Sequence, residues 1–324
     1  MQDTSGVGAN IPDPLRYNIP LPIEATLYPL GFPLNLRTNS PAVFAAATTI
    51  WDPFTPAFAA DPIELRIAVT NETVARPDPA PLPFGQAHLV NVIHSASEFA
   101  TADLDRGFIY AWLTAATAED QGYLLYHFLE PLVYLTLTSL HLVPVHAACV
   151  ALNGKAVLLC GESGAGKTSL SYALAKLGWT YLADDATYLI RGHHSRVLGK
   201  PYQIRFRASA KLLFPELEPY QVVRRPNGKP DLEISTATLG LTNIAQHARP
   251  ELLIFLRRET EAVARLHPVA PSAIIASLEQ VLCFGTPEVR RQQRETLQDL
   301  LLLPAFEMVY SNPSDVDRIL RTCI

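Results

Sequence analysis

The run from Cys160 to Thr168 reads Cys-Gly-Glu-Ser-Gly-Ala-Gly-Lys-Thr. Gly161, Gly166, Lys167 and Thr168 fit G-x-x-x-x-G-K-[ST], the pattern of a loop that wraps a polyphosphate. The chemistry follows from the residue types. Glycines let the backbone curl, so that the amides from about Ser163 to Thr168 line one concavity, and the expected nucleotide-binding residues are Gly161, Glu162, Ser163, Gly164, Ala165, Gly166, Lys167, Thr168 and Ser169. Those amides and the positive end of the following helix bind anionic oxygen. Lys167 is expected to reach the β- and γ-phosphates, and the Thr168 hydroxyl to ligate Mg²⁺. Further on, Asp184 and Asp185 form an adjacent pair of carboxylates. One of them can serve a metal through water while the other accepts the proton of an attacking hydroxyl. A turn or cap role for Asp185 alone is the competing explanation.

The elements needed to hold these groups can be read on either side of them. Ala156–Cys160 is a short apolar run that predicts a buried strand. Leu170, Ala173, Leu174 and Leu177 recur at helical spacing, and Gly178 supplies a stop. Trp179–Ala183 predicts a second strand, which delivers Asp184 and Asp185 at its carboxyl end, where ligands of open α/β sheets bind. Val145–Leu152 and Lys155–Cys160 predict a hairpin turning at Asn153-Gly154. That hairpin would hold His146 on the same sheet as the loop. A histidine so placed is, on the residues alone, more often a core or turn residue than a site residue.

Three segments together resemble the catalytic domain of the HPr kinase/phosphorylase family: His146 to Lys155, Gly161 to Thr168, and Leu182-Ala183-Asp184-Asp185. The resemblance is dense over about residues 145–190 and looser towards the C-terminus. It implies an α/β phosphate-loop kinase domain that uses ATP and Mg²⁺. It also implies a base role for Asp184 and a place near the phosphates for His146. The family's Glu-Ile-Arg-Gly-Leu-Gly segment, linked to metal binding and to the reverse phosphorolysis, has no counterpart here. Glu233-Ile234-Ser235 is a fragmentary echo. The resemblance therefore implies an HPr kinase-like kinase of serine-type hydroxyls rather than a true HPr kinase/phosphorylase. Its relatives act on free serine or on ribosomally made peptide precursors, and family precedent is assembly into rings.

Composition sets outer bounds. The 324 residues are 48% hydrophobic, enough for a sizeable core, and the length suggests two domains. A net charge of −5 argues against nucleic acid as a partner. Arg224-Arg225 and Arg290-Arg291 with Arg294 read as solvated basic faces. The four cysteines, Cys149, Cys160, Cys283 and Cys323, lack C-x-x-C spacing and suit a reducing, cytoplasmic setting. Residues 1–6 lack the basic-then-apolar order of a secretory signal.

Residues 1–20 read as a loose arm. Of the 27 prolines, 14 lie between Pro12 and Pro83, which predicts short strands and turns in the first half. The expected strands are Glu24–Leu27, Leu34–Arg37, Ile63–Val69, His88–Ile93 and Phe108–Leu113, with a helix from Pro41 capped by Ser40. His88, His94 and Asp103 are too far apart in sequence to define a site. Glu119–Leu142 is apolar and aromatic, but His127, Glu130, Pro131, Ser139 and His141 interrupt it. A buried or kinked helix is therefore expected rather than a membrane span. His193 and His194 read as loop residues. Arg205, Arg207 and Lys211 mark either a substrate flap reaching towards Lys229 or a surface strand. Arg257 or Arg258, at the end of the strand Glu251–Leu256, could approach the phosphates, with a surface arginine as the alternative. Ser272–Leu282, Glu288–Leu303 and Asp315–Arg321 predict helices and Ala305–Tyr310 a strand.

The expected architecture is thus a Pro-rich, strand-containing N-terminal domain over residues 1–117 and an α/β phosphate-loop kinase domain over 118–324. The expected partners are ATP and a hydroxyl-bearing acceptor. No nucleic acid or membrane is expected, and a homo-oligomer is possible. Two alternatives stay open: a small-metabolite kinase, and a non-catalytic ATP-binding sensor module.

Overall fold

In the computed structural model, residues 19–72, 82–224, 228, 230–279 and 285–324 are described. The loose arm, apart from residues 19–20, lies outside them. So do Arg225, Lys229, the end of the helix expected to reach Leu282, and Cys283.

The proline-rich half forms one sheet. Its strands are β1 (Ile23–Leu27), β2 (Leu34–Thr38), β3 (Ile63–Thr70), β4 (Phe84–Gln86), β5 (Leu89–Ser95), β6 (Glu98–Asp103) and β7 (Phe108–Thr114). The spatial order is β1-β2-β3-β7-β6-β5-β4. Helix α1 (Pro41–Trp51) starts as its sequence predicts, with the Ser40 side chain accepting from the Val43 amide and proline in its first turn. Leu34, Leu36, Ile63, Leu65 and Ile67 alternate inward along β2 and β3. Each such side chain contributes about 1.5–3 kcal/mol by leaving water.

Next come α2 (Ala115–Glu119), α3 (Gln121–Leu124), a π-helical turn (Leu125–Leu129) and α4 (Glu130–Leu140). The π turn lies just ahead of Pro131, whose missing amide disfavours regular α hydrogen bonding there. Phe128, Leu129, Leu132, Val133 and Leu137 from this run join the core of the first sheet. Among the described residues, no helix is long and apolar enough to cross a membrane.

The second sheet carries the phosphate loop. Its strands are β8 (Leu142–Val145), β9 (Ala147–Leu152), β10 (Lys155–Cys160), β11 (Thr180–Ala183), β12 (Thr187–Ile190) and β13 (His193–Leu198). After a three-stranded flap, β14 (Gln203–Arg207), β15 (Val223–Arg224) and β16 (Pro230–Ser235), it is completed by β17 (His247–Arg258), β18 (Arg265–Pro268) and β19 (Ala305–Tyr310). The order runs β11-β9-β10-β17-β13-β12-β8, with β19 on β17 and β18 on β19. Strands β10, β17 and β19 are mutually parallel, whereas β9 is antiparallel to β10. Helix α5 (Lys167–Lys176) follows the loop, and α6 (Pro271–Leu278), α7 (Pro287–Gln298) and α8 (Pro313–Cys323) complete the layers. The fold is mixed α/β.

Three expectations change at this level. His146 is not inside a strand; it sits between β8 and β9. His193 and His194 belong to β13 rather than to a loop, because the chain turns at Arg191-Gly192. Leu177 does not belong to the buried stripe of α5: it caps the helix and is 43% exposed, while Gly178 (φ 94°) ends it as expected.

Candidate functional site

The hairpin explains why distant residues meet. Asn153 and Gly154 take positive φ, 50° and 79°, which suits a two-residue turn. Strand β9 then returns antiparallel to β10 so that Ala147 lies opposite Cys160, and His146 arrives at the mouth of the loop. Strand β11 pairs antiparallel with β9, so it runs in the same sense as β10. Its carboxyl end therefore brings Asp184 and Asp185 to the same edge.

Gly161, Gly164 and Gly166 all take positive φ in the loop. At Gly166 (φ 97°) two demands coincide, since an added Cβ would lie 2.5 Å from the Tyr310 hydroxyl. That hydroxyl donates to the Ala165 carbonyl at 3.2 Å, tying β19 to the loop. Glu162 is exposed, and Ser169 is half-buried in the first turn of α5.

The Lys167 side chain is buried and held at its tip. Its Nζ donates to the Gly161 carbonyl at 2.7 Å and the Glu162 carbonyl at 3.3 Å, and lies 3.0 Å from His146 Nε2. Burial pulls the amine below the usual lysine range, against the opposing pull of Asp185. Asp185 Oδ1 stands 3.8 Å from Lys167 Nζ and 3.5 Å from His146 Nδ1. With the lysine donating to Nε2, the ring proton belongs on Nδ1, facing Asp185.

Asp184 has a different environment. Its Oδ2 accepts from the Arg205 amide at 2.8 Å. Burial raises its carboxyl above the usual range, and this outweighs the bonds and charge of Arg205. A carboxylate fixed by one oxygen and raised by burial is suited to taking a proton. The Thr168 hydroxyl lies 3.5 Å from the Asp184 carbonyl. Thr168 and the two carboxylates offer hard oxygen donors, the set Mg²⁺ takes alongside phosphate and water. Among the described residues, no cluster of three or more His, Cys, Asp or Glu forms a dedicated metal cage.

The two aspartates line a cleft of about 430 Å³. Thr49, Ile50 and Phe54, on and just after α1, line it together with Ser163, Asp184 and Asp185. Glu130, Lys200 and Arg205 also line it and form an ion cluster. Glu130 receives Lys200 Nζ at 3.2 Å and Arg205 Nη2 at 3.1 Å, and Arg205 Nε stands 3.5 Å from Glu233. Burial alone would raise the Glu130 carboxyl, but Lys200 and Arg205 override it and hold it down at about 2.

Of the three flap residues singled out in the sequence, two reach this region. Arg205 lines the cleft, and Arg207 Nη2 donates to Ser163 Oγ at 2.5 Å. Lys211 turns away to the Glu218 carbonyl. Arg257 is paired with Glu259 and Glu307. Arg258 is exposed beside Tyr310. His88, just ahead of β5, and Asp103, at the end of β6, do meet at 3.9 Å, whereas His94 packs on Tyr123 and His127. Cys149 and Cys160 are buried free thiols, with Cys160 pushed up to about 12 by burial, so neither is a nucleophile at neutral pH. The participation of Glu130, Lys200 and the α1 wall was not legible in the sequence, because nothing in their spacing relates them to the loop.

Comparison with known proteins adds the following. Residues 114–213 match a family described as SynChlorMet cassette protein ScmC. A protein of Oceanobacillus iheyensis named HPr kinase/phosphorylase 2 is 38% identical over 66 residues, 20% of this chain and 22% of that protein. The chain thus spans about a fifth of the curated relative it matches. The solved Hpr(Ser) kinase/phosphatase of Coxiella burnetii is similar at a TM-score of 0.29 and 15% identity, covering 55% of this chain and 94% of the other.

Proposed function

We propose that this HPr kinase-like chain is an ATP- and Mg²⁺-dependent phosphotransferase, and that its acceptor is a serine-type hydroxyl. The observation that carries the reading is the convergence of Lys167, His146, Asp184 and Asp185 on the mouth of the phosphate loop, beside a cleft that both aspartates line. In this reading the loop amides and Lys167 hold the phosphates. Thr168 and Asp185 hold Mg²⁺, which when bound neutralises charge on the phosphate oxygens. Asp184 accepts the acceptor's proton, and the Arg205 amide keeps its carboxylate aimed. His146 fixes the Lys167 ammonium and the Asp185 carboxylate in register.

A cleft of this size accommodates a single side chain or a small molecule. The acceptor is accordingly a hydroxyl presented on free serine, on a flexible peptide, or on a protein loop able to extend into it. Purified protein incubated with Mg²⁺ and γ-labelled ATP should label one member of a panel of free serine, serine-containing peptides and HPr. If ATP binds and no acceptor is ever labelled, a nucleotide-sensing role replaces the kinase reading.

A further inference from the structure

Arg207 ends β14 and lies opposite Asp231 in the flap ladder, yet its side chain leaves the ladder for the phosphate loop. Its guanidinium donates to the neutral Ser163 hydroxyl, and Nη1 stands 3.7 Å from where a side chain on Gly164 would begin. Arg207, Ser163, Thr168, Asp184 and Asp185 line the same cleft. It therefore sits where the loop's phosphate concavity opens onto the acceptor side. Among the described residues, no carboxylate pairs with Arg207. The neighbouring cation, Lys167, has its amine pulled down mainly by burial, with the charge of Arg207 adding to that effect. Asp185 gives Lys167 a counter-charge at 3.8 Å, whereas Arg207 is left with the neutral Ser163 hydroxyl, so a polyanion in the concavity would supply the charge that Arg207 lacks. Arginine, with its planar fork of donors, is the side chain best matched to phosphate oxygens.

We propose that Arg207 exchanges the Ser163 hydroxyl for the γ-phosphate of bound ATP and is a catalytic residue supplied by the flap. The assignment rests on the kinase reading above and concerns the terminal phosphate alone. The test is a pair of affinities, for ADP and for the non-hydrolysable triphosphate AMP-PNP with Mg²⁺, measured calorimetrically on wild type, Arg207→Ala, Arg207→Lys and Lys167→Ala. Melting curves check that each variant is folded. One charge-assisted contact to the γ-phosphate predicts that Arg207→Ala lowers the AMP-PNP preference over ADP by about 10-fold or more. Its ADP affinity should stay near wild type. Arg207→Lys should fall between, and Lys167→Ala should weaken both ligands. A preference unchanged in Arg207→Ala overturns the proposal and leaves the kinase reading standing. Equal loss of both ligands also overturns it, since that marks a residue that only shapes the loop. A wild-type protein that binds neither nucleotide overturns both.

Discussion

The two aspartates are adjacent in sequence and opposite in character. Asp185 is exposed and faces cations, while Asp184 is part-buried with its carboxyl raised by desolvation. A carboxyl raised in the folded state stabilises the fold only while it is protonated. That contribution is complete below the ordinary aspartate range and is lost as pH rises through the raised value. At pH 7, above the ordinary aspartate range, the raised Asp184 carboxyl is therefore a cost to the fold. Asp184→Asn should raise the melting temperature at pH 7, and the advantage should vanish on acidification; phosphoryl transfer should be abolished. Equal melting temperatures across the pH range would contradict the assigned environment. Gly166 gives a second residue-scale prediction. Gly166→Ala puts a Cβ 2.5 Å from the Tyr310 hydroxyl at φ 97°, so nucleotide affinity should fall at least 10-fold. Adding Tyr310→Phe should restore only part of it, because the clash is removed and the backbone strain remains. Calorimetric titration of ATP into the single and double variants reads both effects. The nearness of the loop, Lys167 and the aspartate pair was legible in the sequence because each lies within one helix of the next, whereas His146 was singled out only by the family resemblance. Arg207 was legible only as part of a flap, since its contact with Ser163 crosses 44 positions.

At the scale of elements, Glu130 ties α4 to β14 and to the Lys200 segment. Its carboxyl sits at about 2, so its contribution to stability is full above the ordinary glutamate value of 4.5 and is lost as pH falls from there towards 2. Glu130→Ala leaves Lys200 without its acid partner and Arg205 with Glu233 alone, which should cost about 3 kcal/mol at pH 7. The gap from wild type should narrow below pH 4.5 as wild-type Glu130 protonates. Urea unfolding at several pH values measures it, and a pH-independent gap would contradict the ion cluster. The strand and helix assignments were largely readable because alternation and capping are local signals, as at Ser40 and Pro41. Strand β6 was missed because Glu98–Asp103, with its alanines and threonine, carries little apolar alternation, and cross-strand pairing with β5 and β7 supplies what propensity lacks. His193 and His194 were misread because two polar residues after a glycine look like a loop until the pairing of β12 and β13 is known.

At the scale of the whole molecule, the cleft is composite. The first sheet's layer supplies Ile50 and Phe54, and the second supplies the phosphate loop and the aspartates. No sequence pattern relates residues 49–54 to residues 163–207, so only the assembled core reveals that the proline-rich half borders the chemistry. We infer that the first half shapes acceptor choice. Phe54→Ala should then change the KM for the acceptor while leaving ATP affinity intact, as steady-state kinetics would show. The most direct measurement is phosphoryl transfer itself, from γ-labelled ATP and Mg²⁺ to the acceptor panel, run on wild type, Lys167→Ala and Asp184→Asn. The account predicts label on one acceptor with wild type and none with either variant, while Asp184→Asn still binds ATP. Transfer that survives Asp184→Asn undiminished would contradict it.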